Sequence, residues 1–356
     1  MKKNYGELLE RLKKRSNPDN IENRKALNEG LGIPYSDVNE FIKLAMIGVP
    51  QEYTNKSIKA AEMVIENLKK SHGKEVDFKY QGSVQTNTHI LSENDIDIVQ
   101  ISNKSNSVDK AGLEQELKAV AKTTPEYKNL KKHYDNFVKY EGNQLSDLGQ
   151  LRNKSEIVLK NAYSDVNIDK PKAICVNIKN PLRNVDVVTA VRYKSVPFMK
   201  SNEDFKRGIQ VYDKDADDKL PVEYPFWSIK LIQDKNVAVG GRLKKMIRFL
   251  KNVKFEIGYI LDRKISLTSF DINAICYNIK QTDYALENNT KLVAVLYVEL
   301  GKIASDEIYR NSIKSIDGQE DIFLGKSFDK LNDLILIKDE LDAILSDLEI
   351  LKTLAI

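Results

Sequence analysis

Asp95 and Asp97 stand two residues apart in the run DIDIVQI (95–101), whose other members are apolar or neutral. In an extended chain the side chains at i and i+2 share a face, so the two carboxylates are neighbours and Ile96 and Ile98 point the other way. Paired acids on a half-buried strand repel each other unless cations compensate. Hard oxygen ligands of this kind suit Mg²⁺ or Mn²⁺. A third acid, Asp186, is flanked by Val185, Val187 and Val188. If its strand pairs beside the first, three carboxylates could hold two divalent ions in the arrangement used for in-line phosphoryl or nucleotidyl transfer. One ion would activate an attacking hydroxyl and the other would stabilise departing pyrophosphate, with Asp186 nearest the hydroxyl.

Gly82-Ser83 supplies a complementary part, with residues 84–94 between it and Asp95. A glycine after a strand permits a tight turn, and the N–H groups that follow it, with the Ser83 hydroxyl, can cradle phosphate. Taken singly these elements are commonplace: a Gly-Ser turn, an edge-strand Asp-x-Asp, a solvent-facing acid on an amphipathic strand. Their order and spacing together point to triphosphate chemistry.

The elements that must position them follow from periodicity. Runs at 76–80 and 95–101 read as strands, and 173–179 (AICVNIK) and 185–193 (VDVVTAVRY) as two more, separated by a turn holding Asn180-Pro181. Ahead of them Ile58, Ala61, Ile65 and Leu68 recur at helical spacing, with Thr54-Asn55 as a candidate cap and Gly73 as a stop. Residues 108–165 are helical in composition, and 211–223 read as an acidic, proline-containing loop. Beyond it the chain is mostly helical and ends in Leu334, Ile337, Leu341, Ile344, Leu348 and Leu351, an amphipathic pattern expected to pack on its own domain. The class is α+β: a mixed-sheet catalytic lobe with N-terminal helices (1–200) and a helical lobe (201–356) closing a cleft.

Composition narrows the partners. The chain has 356 residues, 41% hydrophobic and 30% charged, with 56 basic against 52 acidic side chains and a net charge of +4. So mild a balance gives no global field for gripping nucleic acid. Cys175 and Cys276 sit in apolar runs, and His72, His89 and His133 show no ligand spacing beside them, so a zinc module is not expected. His89 reads as a packing residue. The opening MKKNYGELLERLKKR has no apolar signal core, and no apolar run approaches the ~20 residues that span a bilayer. These features lead to the expectation of a cytoplasmic protein with reduced thiols and no membrane partner.

Gly82-Ser83, Asp95-Ile-Asp97 and Asp186 together resemble the signature of the polymerase-β-like nucleotidyltransferases. GSVQTNT (82–88), DLGQLR (147–152), VDVVTAVRY, GIQVYD (208–213), YPFWSIKLIQDKN (224–236) and GGRLKKMIRFLK (240–251) extend the resemblance to the bacterial cyclic GMP–AMP synthase-like branch, the CD-NTases of anti-phage signalling. The match spans roughly residues 55–280. It implies a bilobed enzyme, Asp95, Asp97 and Asp186 as catalytic metal ligands, and Gly82 and Ser83 on the donor triphosphate. It further implies Lys245 on donor phosphates, Ser269 on phosphate and Phe270 stacked on a base. Lys235 is a weaker cleft candidate, on its loop context alone. NTPs, ATP among them, would be joined into a cyclic di- or trinucleotide that activates a separate effector in CBASS-type defence. The clustered Cys and His of the animal DNA sensor in this family are missing, so zinc-dependent DNA gripping is not expected. Two rivals use the same residues differently. One is a transferase placing a nucleotide on tRNA, protein or a small molecule; the other is an inactive nucleotide-sensing or scaffold module.

Overall fold

The computed structural model describes residues 5–14, 37–91, 95–285 and 288–348. The chain divides into two compact units. One comprises Pro50–Thr86 and Asn94–Lys230; the other comprises Met1–Val49, Asn87–Glu93 and Leu231–Ile356.

The first unit is built on a mixed sheet. Its strands are β1 (Val76–Gln81), β2 (Asp95–Val108), β3 (Val166–Asn167), β4 (Ala173–Lys179), β5 (Leu182–Lys194), β6 (Gly208–Asp213) and β7 (Asp218–Lys219). Along the main path the order is β1-β2-β5-β4-β3, with β6 pairing the far end of β5 and then β7. Among the described residues only β2 and β5 run parallel; every other pairing is antiparallel.

Alternation gives the sheet two unlike faces. Ile96, Ile98, Ile174, Val176, Val185 and Val187 pack under Ala60, Val64 and Leu68 of helix Gln51–His72 and Leu159 of helix Gln144–Ala162. The opposite face begins with the acids and continues into Val99, Ile101, Val188 and Ala190, which pack with Ile209 and Val211 of β6. Burial on both faces keeps the middle strands, and therefore the acids at their ends, in a fixed register.

Helix Gln51–His72 starts a turn before the expected Thr54-Asn55 cap. Pro50 takes the N-cap position and its carbonyl accepts from the N–H groups of Tyr53 and Thr54; Gly73, at φ +57°, ends the helix as anticipated. The loop expected over 211–223 is in part strand. GIQVYD buries Gly208, Ile209, Val211 and Tyr212 and zips onto β5 from Ala190 to Tyr193. β5 is long enough to hold two antiparallel partners in succession, and a short edge strand takes its register from that template.

The second unit is helical around one core. Leu243, Met246, Ile247, Phe249 and Leu250 of helix Arg242–Leu261 pack with Phe41, Ile42, Ile272, Ile275 and Leu296. The terminal helix Phe328–Asp347 adds Leu334, Ile337, Leu341 and Ile344, so it packs on its own unit; Leu351 lies outside the described residues. Arg248 is the polar pin of this unit. It is buried and donates to Met46 O at 2.9 Å and Asn87 O at 2.7 Å. Among the described residues no helix is long and apolar enough to cross a membrane. Cys175 and Cys276 are buried free thiols.

Candidate active site

Register assembles the centre. Asp97 and Asp186 are direct partners on the parallel pair β2–β5, Gln81 faces Asp97 from β1, and Cys175 faces Asp186 from β4. One pleat back, Asp95 is opposite Asn184. Ile96 and Ile98 are fully buried beneath while Asp97 is half-buried and Asp95 exposed, so the sheet turns its acids toward solvent and its isoleucines into the core.

Gly82 follows β1 directly and opens the one-turn helix Gly82–Thr86, which carries Ser83. Its φ is +78°, and a Cβ built there would collide with the Asp97 carboxylate. The glycine is therefore needed twice, for the left-handed turn and for the close approach of the backbone to an acid. The side chains of Thr86 and Ser83 belong to the same turn, with Thr86 Oγ1 donating to Ser83 O at 3.2 Å.

Two further side chains engage the acids. Asn184 Nδ2 donates to Asp95 Oδ1 at 2.9 Å. Lys170 Nζ lies 3.3 Å from Asp186 Oδ2 and 3.4 Å from Oδ1. Partial burial works against its charge, but Asp186, with Cys175 and Asp95 adding to it, holds the ammonium above the usual lysine value. Burial first, and then the Asp186 carboxylate, push the Cys175 thiol up to about 11, so it stays protonated at neutral pH. The donors on offer are thus hard carboxylate oxygens with no thiolate among them, a set suited to Mg²⁺ or Mn²⁺. As placed, no three His, Cys, Asp or Glu side chains among the described residues are gathered closely enough to hold a metal ion. The strand framework puts two acids level and a third one pleat away. The carboxylates of Asp95 and Asp186 are turned to Asn184 and Lys170.

Sequence reasoning passed over Asn184 and Lys170. Asn184 had a signal, since it lies two residues before Asp186 and so shares its face. Lys170 had none, because a loop before β4 is brought to Asp186 only by the β4–β5 pairing.

The remaining candidates belong to the helical unit. Lys245 is half-buried on helix Arg242–Leu261, one turn before the buried Phe249. Ser269 and Phe270 open helix Ser269–Asn278, whose start is fixed by a capping box between Thr268 and Asp271. Phe270 is 42% exposed. Lys235 departs from expectation. Its Nζ donates to Ile279 O at 2.6 Å and to Tyr277 O, closing the end of that helix, and it lies over the Tyr277 and Tyr284 rings. Burial lowers its pKa. With two carbonyls and two rings around it, Lys235 is a structural clasp. His89 is buried, as a packing residue should be.

Known proteins share the sequence and the fold of this chain. The family model for the cGAS/DncV-like nucleotidyltransferase C-terminal helical domain matches residues 230–343. A c-di-GMP synthase of a Flavobacteriaceae species is 48% identical, with 98% of each chain covered. A c-di-GMP synthase of Capnocytophaga granulosa is 39% identical, covering 98% of this chain and 99% of the other. Among solved structures, a STING-associated CdnE c-di-GMP synthase from Flavobacteriaceae sp. superposes with a TM-score of 0.86 at 46% identity, covering 98% of this chain and 99% of that one.

Proposed function

The chain belongs to the cGAS/DncV-like nucleotidyltransferases (CD-NTases), enzymes that join nucleotides into cyclic messengers, and we propose that it makes cyclic di-GMP from two molecules of GTP. The observation that carries the chemistry is the register of Asp97 opposite Asp186, with Gly82 pressed against Asp97. The choice of GTP rests on the likeness to full-length c-di-GMP synthases.

In this reading one GTP is the donor and the other the acceptor. Ser83 offers its hydroxyl to the donor triphosphate at the head of the Gly82–Thr86 turn. Asp95, Asp97 and Asp186 are the residues that would hold the divalent ion. When bound, Mg²⁺ or Mn²⁺ supplies Lewis-acid polarisation of the triphosphate and charge stabilisation for the pyrophosphate. Asp186 orients the acceptor ribose hydroxyl and can take its proton. Each bond made between a ribose oxygen and an α-phosphorus breaks one bond to pyrophosphate. Two such events close the ring, giving one cyclic dinucleotide and two pyrophosphates. Lys245 and Ser269 bind phosphate, and Phe270 stacks on a guanine. By likeness to the STING-associated relatives, the product acts on a separate STING-type effector in CBASS-type anti-phage signalling.

Incubating the chain with all four NTPs and Mg²⁺ or Mn²⁺, then digesting with phosphatase, tests the proposal by mass spectrometry. A phosphatase-resistant cyclic dinucleotide supports it. Pyrophosphate release only when tRNA or protein is added would instead mark a transferase to another acceptor.

A further inference from the structure

Asp186 carries a cation supplied by the protein itself, and that cation sits on a built support. The loop between β3 and β4 is stapled from below by Arg152, whose guanidinium is fully buried. Arg152 Nη2 donates to Lys170 O at 3.0 Å, Ala173 O at 3.1 Å and Ile168 O at 3.4 Å, and Nε donates to Glu156 at 2.8 Å. Lys214 Nζ donates to the same Glu156 at 2.9 Å, and its backbone N–H donates to Pro171 O at 3.0 Å. The carbonyls of residues 168, 170, 171 and 173 are thereby held, so the backbone beneath Lys170 is anchored while its side chain is 50% exposed. Its ammonium meets both oxygens of Asp186.

We propose that Lys170 is an active-site residue that competes with the divalent ion for Asp186. The inference rests on the reading of Asp97 and Asp186 as metal ligands and adds an intrinsic rival for one of them. A lysine is a compact, mobile point charge, suited to neutralise a carboxylate and then leave it. The Lys170–Asp186 pair is partly exposed, and such ion pairs are weak enough to yield to a divalent cation. Arg152 is the positioning residue: it sets where the ammonium is delivered without touching Asp186.

Titration of Mn²⁺ into the full chain without nucleotide, following the electron paramagnetic resonance signal of free ion, tests this. Lys170→Ala should bind Mn²⁺ about two- to fivefold more tightly than wild type, the range set by a partly exposed ion pair. Lys170→Arg, which keeps the charge, should stay close to wild type. Thermal melting of each variant reports that the fold is retained. Binding by Lys170→Ala that is unchanged or weaker overturns the inference, as does Lys170→Arg tightening as much as Lys170→Ala. Asp97→Asn separates the two levels. If it binds Mn²⁺ as well as wild type, or if wild type binds none, the acids are not metal ligands and both readings fall. If Asp97→Asn weakens binding while Lys170→Ala does not tighten it, only the role of Lys170 falls.

Discussion

Asp97 and Asp186 are register partners on adjacent parallel strands, so two acids separated by 88 intervening residues stand level on one sheet face. Their neighbours Ile96, Ile98, Val185 and Val187 are fully buried on the other face. Slipping either strand by one residue would turn its acids into the core, so the hydrophobic pattern that folds the sheet also aims the carboxylates. Replacing either acid by asparagine removes a charge and leaves the shape. Asp97→Asn and Asp186→Asn should each lower turnover by roughly a thousandfold or more, since several kcal/mol of transition-state stabilisation depend on the charged site. Melting temperatures should hold or rise; retained turnover in Asp97→Asn would remove it from the chemistry.

Gly82 invites a smaller change with a large effect. A methyl at this position meets the Asp97 carboxylate and must also be held at φ +78°. Gly82→Ala should cost about 1–2 kcal/mol of stability from the backbone conformation alone. It should also lower turnover per folded molecule, because Asp97 has to move. Denaturant unfolding and initial rates measure the two effects separately.

A buried polar relay crosses the opposite face of the sheet. Gln100 donates to Thr189 Oγ1 at 2.8 Å, Ser155 donates to Gln100 Oε1 at 2.9 Å, and His72 Nε2 lies 2.9 Å from Ser155 Oγ. Burial, with Lys154 adding to it, lowers the His72 pKa below its ordinary 6.5. The unfolded chain therefore binds a proton here before the folded chain does. The stability contributed is complete above pH 6.5 and is lost as pH falls through the lower folded value. Unfolding free energy measured between pH 7.5 and 5.5 should decline in wild type and flatten in His72→Gln, which keeps a hydrogen-bonding side chain.

Lys235 and Lys245 should behave differently although both are lysines of the helical unit. Lys235→Met leaves two carbonyls without their donor and should lower stability by about 1–3 kcal/mol, with KM for GTP little changed. Lys245→Ala should leave the melt intact and raise KM about tenfold or more, the loss of a charge-assisted phosphate contact. Steady-state kinetics beside thermal melts distinguish them. Equal KM values for Lys245→Ala and wild type would take Lys245 off the phosphates.

The strands that hold the acids were legible because alternation and β-branched runs are local signals. AICVNIK is strand β4 from end to end, and the acids of DIDIVQI and VDVVTAV face where a two-residue period puts them. GIQVYD was partly absorbed into the acidic loop behind it, since the template that makes it a strand is the far half of β5. The collision between Gly82 and Asp97 also needs the pairing of Gln81 with Asp97, which no local pattern reveals. The Arg152 staple under the Lys170 loop is likewise a product of tertiary packing, although DLGQLR marked the residue itself.

The mass of the product made from GTP alone decides whether this chain makes cyclic di-GMP. Purified chain supplied with GTP as its only nucleotide, plus Mg²⁺ or Mn²⁺, should yield a phosphatase-resistant species with the mass of cyclic di-GMP, and Asp97→Asn should yield none. Phosphatase digestion to guanosine with no resistant dinucleotide, from folded protein that binds GTP, would contradict the account.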